Sequence, residues 1–375
     1  MPENSMRLFP ESATPGCSGY FHIPPVWMVE EPTPAEIERG AARVLGREVL
    51  RTTIAHGIRV RVQRDGVVVF DCRSWKEAGE TTIPGYQPVA RQPIPRAVTV
   101  AEEEGETKAM LRAQLINAHQ ACLNAAHYAV HSRGQELGAM VISSQAFQLY
   151  DFEQPVGVRS DYEPVQRFVA TMLDYRSAAV RRDPAFKNRR LVERDTLEHS
   201  LRLLDTLLLH SVKDLITVTD LLFRAGAQFA QSRFAESLVV SWAACERLLN
   251  EAWRRYLDER KAGPKGEPRI TGDRKKKLLG RDFSASVISE ALELAGVIPL
   301  DLFELISAAR KSRNDWLHGL KPVVDRDAVT AMRAGQGLFQ QVTGIRLHLS
   351  LTRVGGTGGC APVELVRQWQ QPKRP

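Results

Sequence analysis

The chain has 375 residues, enough for two domains or one large one, and its 43% hydrophobic and 25% charged residues are those of a globular protein. No apolar run approaches the roughly 18 to 20 residues needed to span a bilayer, and residues 1–19 hold no apolar stretch of signal-peptide length. A cytoplasmic protein with no membrane partner is expected. The formal charge of +7 is concentrated, because residues 253–281 carry eleven Lys or Arg against four acids and the remainder balances.

Residues 1–32 are rich in Pro and Gly and read as an irregular arm. Thr33 with Pro34 and Glu36 has the form of a capping box with proline in the first turn, so a short helix is expected there. The pattern then changes to period two. Ile58, Val60 and Val62 alternate with Arg59, Arg61 and Gln63, and Asp65-Gly66 separates them from Val67, Val68, Val69 and Phe70. That is a hairpin signal, with Asp-Gly supplying the two positive-φ positions of a tight turn. Prolines 84, 88, 93 and 95 mark a linker or long loop. Residues 107–131 are alanine-rich and read as a helix, and residues 140–152 return to alternation. Residues 1–158 are taken as a small α+β domain of unknown type.

Beyond Pro164 the strand signals cease. Helical spacing recurs in Val165, Phe168, Met172 and Tyr175, then in Leu197, Leu201, Leu204 and Leu208, then in Leu215, Val218, Leu222 and Phe229. A fourth, long helix follows Phe234, Leu238, Trp242, Cys245, Leu249, Ala252 and Tyr256. A gap holding most of the basic cluster separates it from a helix with Ile288 and Leu292, ended by Gly296. Another helix opens at Asp301, and the last runs from about Asp325 towards Leu349. The fold class expected is mainly α: residues 159–211 a helical connector, 212–350 a helical domain, and 351–375 a flexible tail with Gly355, Gly356, Gly358 and Gly359.

The five cysteines are odd in number and far apart, so no disulfide framework is indicated, and Cys245 among Ala243, Ala244, Leu248 and Leu249 reads as a buried small hydrophobe. His119, Cys122, His127 and His131 are metal-ligand types. The four spread over about half the circumference of a helix, and the acid that a hydrolase helix would carry after His127 is absent. Neither a metal nor a cofactor is expected. The chain lacks a phosphate-cradling Gly-rich loop, a nucleophile elbow and a CxxC pair.

The helix opening at Asp301 carries the chemistry. Leu302, Ile306 and Ala309 form its apolar stripe, and Arg313 and Trp316 occupy the next positions on it. An arginine on a core-facing stripe is costly unless a partner or an interface meets it. Asn314 and His318 are four apart and share a face near the helix end. Gly319 is expected as a left-handed cap, and Pro322 prevents continuation. A structural reading stands beside this one: His318 can be a helix cap, and Arg313 an ion-pair partner of Glu246.

The run SRNDWLHG at residues 312–319 resembles the Arg-Asn-x-x-x-His signature of HEPN ribonuclease domains. The helix SLVVSWAACERLLNEAW at residues 237–253 is similar to the core helix that precedes that signature. The resemblance covers roughly residues 212–350. It implies a HEPN-like bundle, metal-independent cleavage of RNA, and a homodimer bringing two motifs together. It also implies a prokaryotic defence or toxin effector, with a regulatory partner or antitoxin. His318 is assigned acid/base work, because an imidazole titrates near working pH. Arg313 is assigned the phosphate, and Asn314 the orientation of phosphate or of His318. Arg274, Lys275, Lys276 and Lys277 are read as RNA-binding, because consecutive cations spread around a helix and cannot all be paired internally. The alternative function is a HEPN scaffold without catalysis, binding RNA or a partner and dimerising.

Overall fold

Val60, Val62, Val68 and Phe70 are fully buried, so the alternation and the valine run have done what an apolar face dictates. In the computed structural model, described residues are 16–22, 26–39, 46–78, 103–131, 189–262 and 269–348, with isolated positions between 137 and 152. The expected proline-rich linker, the helix at 165–175 and the tail after Gly355 lie outside them. The architecture is mainly α, with a small antiparallel sheet in its N-terminal part, and falls into two compact units.

The first unit lies within Met1–Val130 and Leu137–His210. Its strands are β1 (Cys17–Phe21), β2 (Val26–Met28), β3 (Glu48–Thr53), β4 (Arg59–Gln63), β5 (Val67–Asp71), β6 (Gln148–Leu149) and β7 (Arg190–Val192). Five form an antiparallel sheet in the order β3-β4-β5-β1-β6, while β2 and β7 pair in parallel. Residues 17–21 and 26–28 are thus strands, where an irregular arm was expected. All five residues of β1 are buried, so it shows no period-two alternation. The β4–β5 turn also differs from the tight form: Gly66 alone takes positive φ (96°), and its N–H bonds Gln63 O at 3.1 Å. This is a three-residue loop with a glycine bulge.

Helix α1 (Pro34–Arg39) has its capping box, with Thr33 N donating to Glu36 Oε2 at 2.8 Å and Glu36 N to Thr33 Oγ1 at 3.3 Å. Helices α2 (Glu103–Val130) and α3 (Arg194–Leu209) pack on each other, α3 through Leu197, Leu201, Leu204 and Leu207. Residues 190–209, read as part of a connector, therefore belong to this unit. Between them His119 is fully buried, with Tyr20 Oη 2.9 Å from Nδ1 and Ser200 Oγ 3.3 Å from Nε2.

The second unit, within His131–Glu136 and Ser211–Pro375, holds α4 (Leu215–Ala230), α5 (Phe234–Glu259), α6 (Gly272–Leu278), α7 (Ala285–Leu294), α8 (Leu300–Gly319) and α9 (Asp325–Thr343). Helix α5 is central, and α4, α7, α8 and α9 all pack on it. Its buried face includes Leu238, Trp242, Cys245, Leu249 and Ala252, each large aliphatic contributing about 1.5 to 3 kcal/mol. Helix α9 stops at Thr343 rather than near Leu349, because Gly344 takes φ 73° there. None of the described helices is long and apolar enough to cross a membrane.

Side-chain contacts fix the relative sense of α5, α8 and α9. Ser312 Oγ donates to Asp327 Oδ1 at 2.9 Å, and a Cβ on Gly337 would lie 2.6 Å from Leu302 Cδ1, so α8 and α9 are antiparallel. Arg255 Nη1 donates to Val342 O at 2.8 Å, joining the C-terminal ends of α5 and α9. Gln341 Nε2 donates to Val297 O at 2.7 Å, which puts the start of α8 at that same end. The C-terminal end of α8 is consequently at the other.

Candidate active site

Helix α8 buries Leu302, Ile306 and Ala309, as its spacing dictates, but the buried stripe stops there. Arg313 and Trp316 lie on its continuation and are only half-buried, because the helix end outruns its neighbours. Arg313 is therefore not a core arginine, and no ion pair joins it to Glu246 among the described residues. Its Nη1 donates instead to Asn314 Oδ1 at 2.9 Å. That contact holds the guanidinium across the helix surface and uses one amide acceptor, leaving the amide N–H groups to donate.

His318 is exposed in the last turn of α8, one turn beyond Asn314 on the same face. Asn314 bonds Arg313 and not His318, so the motif's amide orients the cation. The helix runs through Gly319, and the left-handed residue is Leu320 (φ 48°, ψ 29°), contrary to the cap expected at Gly319. Leu320 N–H bonds Trp316 O at 2.9 Å, and Lys321 N–H bonds Asp315 O at 3.3 Å. Lys321 Nζ also meets Asp315 Oδ2 at 3.0 Å, so the acid inside the motif is neutralised locally. The base of the motif is tied to α9 by Ser312 and Asp327.

The four basic residues are elsewhere. They lie on α6, which is capped by Thr271 Oγ1 and held to α5 by Trp253 Nε1 donating to Leu278 O at 2.8 Å. Lys275 is not free: its ammonium pairs with Asp258. Arg274 donates to Arg269 O at 3.0 Å, while Lys276 and Lys277 are exposed with no ion pair among the described residues. Because Trp253 and Asp258 sit at the C-terminal end of α5, α6 stands at the end of the bundle opposite His318. From Leu302 to His318 the helical rise alone is roughly 24 Å. The two groups of residues expected to act on one RNA are thus far apart.

The outward face of α8 carries Phe303, Ser307, Arg310, Lys311 and Asn314, half-buried or exposed. The sequence reading missed these residues, although Arg310 and Lys311 precede Asn314 by one helical turn and could have been found from that spacing. In the first unit, His119 bonds Tyr20 and Ser200. Among the described residues no group of three or more His, Cys, Asp or Glu is arranged to hold a metal ion.

No protein-family model matches the chain, and neither the curated proteins nor the solved structures give a significant match.

Proposed function

We propose that the C-terminal end of α8 is the chemical centre of a metal-independent endoribonuclease of the HEPN type. The observation that carries this reading is a guanidinium, Arg313, fixed on Asn314 at a helix end whose exposed last turn presents His318. His318 takes the proton of a ribose 2′-OH, and the 2′-oxygen attacks the adjacent phosphorus. The bond to the 5′-oxygen breaks, leaving a 2′,3′-cyclic phosphate and a 5′-hydroxyl that takes up a proton. Arg313 bonds the nonbridging oxygens as charge gathers on them, a task for a permanently charged planar donor.

One histidine cannot be base and acid at the same instant, so the reaction calls for two copies of the motif in a two-fold dimer. Leu317, Leu320 and Val324 adjoin the motif and are 42%, 82% and 53% exposed, an apolar surface suited to such contact. A prokaryotic defence or toxin effector, restrained by a regulatory partner or antitoxin, is the setting in which an exposed RNA-cleaving centre needs control. The test is purified protein with total RNA in EDTA, against His318→Ala. Cleavage by the wild type alone supports the reading. RNA binding without cleavage by either protein would favour a non-catalytic binding module.

A further inference from the structure

Charge is segregated in the second unit. Residues 282–309 hold five acids and no Lys or Arg, directly after the basic stretch at residues 253–281. Four of these acids, Glu290, Glu293, Asp301 and Glu304, lie on α7 and the first turns of α8, and none has an ion pair among the described residues. Apolar side chains stand exposed among them: Val287 is 43% exposed, Leu294 83% and Leu300 59%. Val287 and Leu294 are seven apart, so they share one face of α7 roughly 10 Å apart, with Glu290 between them. The turn that brings Leu300 in after Leu294 is closed by Val297 N–H on Leu292 O at 2.8 Å. An apolar strip among carboxylates fits a partner that is both apolar and cationic.

We infer that this strip is the docking site of the chain's own residues 363–374, which lie outside the described residues. Their sequence sets Leu365, Val366 and Trp369 on one face at helical spacing, and sets Arg367, Lys373 and Arg374 against a single acid, Glu364. The tether puts them within reach. Gln341 Nε2 donates to Val297 O at 2.7 Å, so the C-terminal end of α9 adjoins the turn between α7 and α8. The chain is then held against α9 as far as Leu347, whose O accepts Gln336 Nε2 at 3.4 Å. Residues 349–364, four glycines among them, reach up to roughly 50 Å when extended. A tethered segment acts at an effective concentration on the order of millimolar, so modest affinity suffices and a free partner must displace it. Docking pairs Lys373 and Arg374 with acids of α7 and α8 and covers Leu294 and Leu300, at the end of the bundle opposite His318. It is independent of the chemistry proposed there.

Zero-length carbodiimide coupling of the whole chain, read by peptide mapping of the monomer, tests the contact. The coupling joins an amine to a carboxylate only where the two already touch, and Lys373 is the one lysine after Lys321. The expected product joins Lys373 to an acid within residues 290–304. Leu294→Ser with Leu300→Ser is expected to lower its yield about tenfold, and so is Leu365→Ser with Trp369→Ser. The second pair keeps the test valid if the first destabilises the bundle. Mixing chains of natural and heavy-isotope composition before coupling separates links within a chain from links between chains. Links only between chains would give the strip to a second copy and overturn the tether. Coupling of Lys373 spread over acids elsewhere, yields indifferent to both apolar pairs, or no coupling at all would overturn the docking.

Discussion

Ser312 Oγ donates to Asp327 Oδ1 at 2.9 Å, while the other oxygen of Asp327 accepts the N–H of Val324 at 3.1 Å. One carboxylate thus caps α9 and anchors the helical turn that bears Arg313. Unwinding of α8 back to Ser312 would also release the start of its neighbour. The tie anchors the backbone that carries Arg313, and the half-buried guanidinium is held by Asn314.

Asp327→Ala removes a helix cap and a side-chain bond and is expected to cost about 2 kcal/mol. Ser312→Ala removes only the bond and is expected to cost about 1 kcal/mol. Thermal melts of both variants check the order. An Asp327→Ala protein as stable as the wild type would show that the tie does not hold the hairpin.

Arg313→Lys keeps the charge but loses the planar fork and the bond to Asn314. Loss of one well-placed donor to the developing charge is expected to reduce the cleavage rate about 10²-fold. In single-turnover assays the ratio of wild type to Arg313→Lys reads the geometric part, and the ratio of Arg313→Lys to Arg313→Ala reads the charge. Equal rates for Arg313→Lys and the wild type would reduce Arg313 to a point charge.

Lys276→Gln with Lys277→Gln is expected to flatten the salt dependence of RNA binding by about 1.4. Lys275→Gln behaves differently, because its ammonium is paired with Asp258. It is expected to change the slope little and stability by less than about 1 kcal/mol, as exposed pairs do. Anisotropy titrations at several salt concentrations check both. An equal slope change from Lys275→Gln alone would show that the pair opens to bind RNA.

Buried in the first unit, His119 has its pKa driven down to about 3, first by loss of solvation and then by nearby His22. The folded state therefore favours neutral His119, and the unfolded chain takes up a proton near the ordinary value of 6.5. Its stabilisation is complete above about pH 6.5 and is lost progressively as pH falls towards 3. His348, held down to about 4, adds a similar dependence. Denaturant melts at neutral and mildly acidic pH are expected to show a smaller acid loss in His119→Gln than in the wild type. The variant would be weaker at neutral pH, having lost its bonds to Tyr20 and Ser200. An unchanged pH dependence would assign the acid loss to other groups.

Elements with one apolar face were legible in the sequence, as α4, α5 and α9 show through Leu222, Trp242 and Met332. Strand β1 was not, because Cys17 to Phe21 are buried on both faces and leave no period. Helical spacing placed Arg313 on the line of Ile306, but not how far the neighbouring helices cover that line. The pairing of Lys275 with Asp258 and the distance between α6 and His318 arise from helix packing, to which local pattern is blind. What spacing did give was the common face of Asn314 and His318, and the same reasoning one turn earlier reaches Arg310 and Lys311.

The most direct test is single-turnover cleavage of a defined RNA in EDTA by wild type and His318→Ala, with binding measured on the same preparations. The expected result is a wild-type product ending in a 2′,3′-cyclic phosphate, and a rate about 10² to 10⁴ lower in the variant with unchanged affinity. A folded His318→Ala protein that cleaves at the wild-type rate would contradict the assignment of the chemistry to the end of α8.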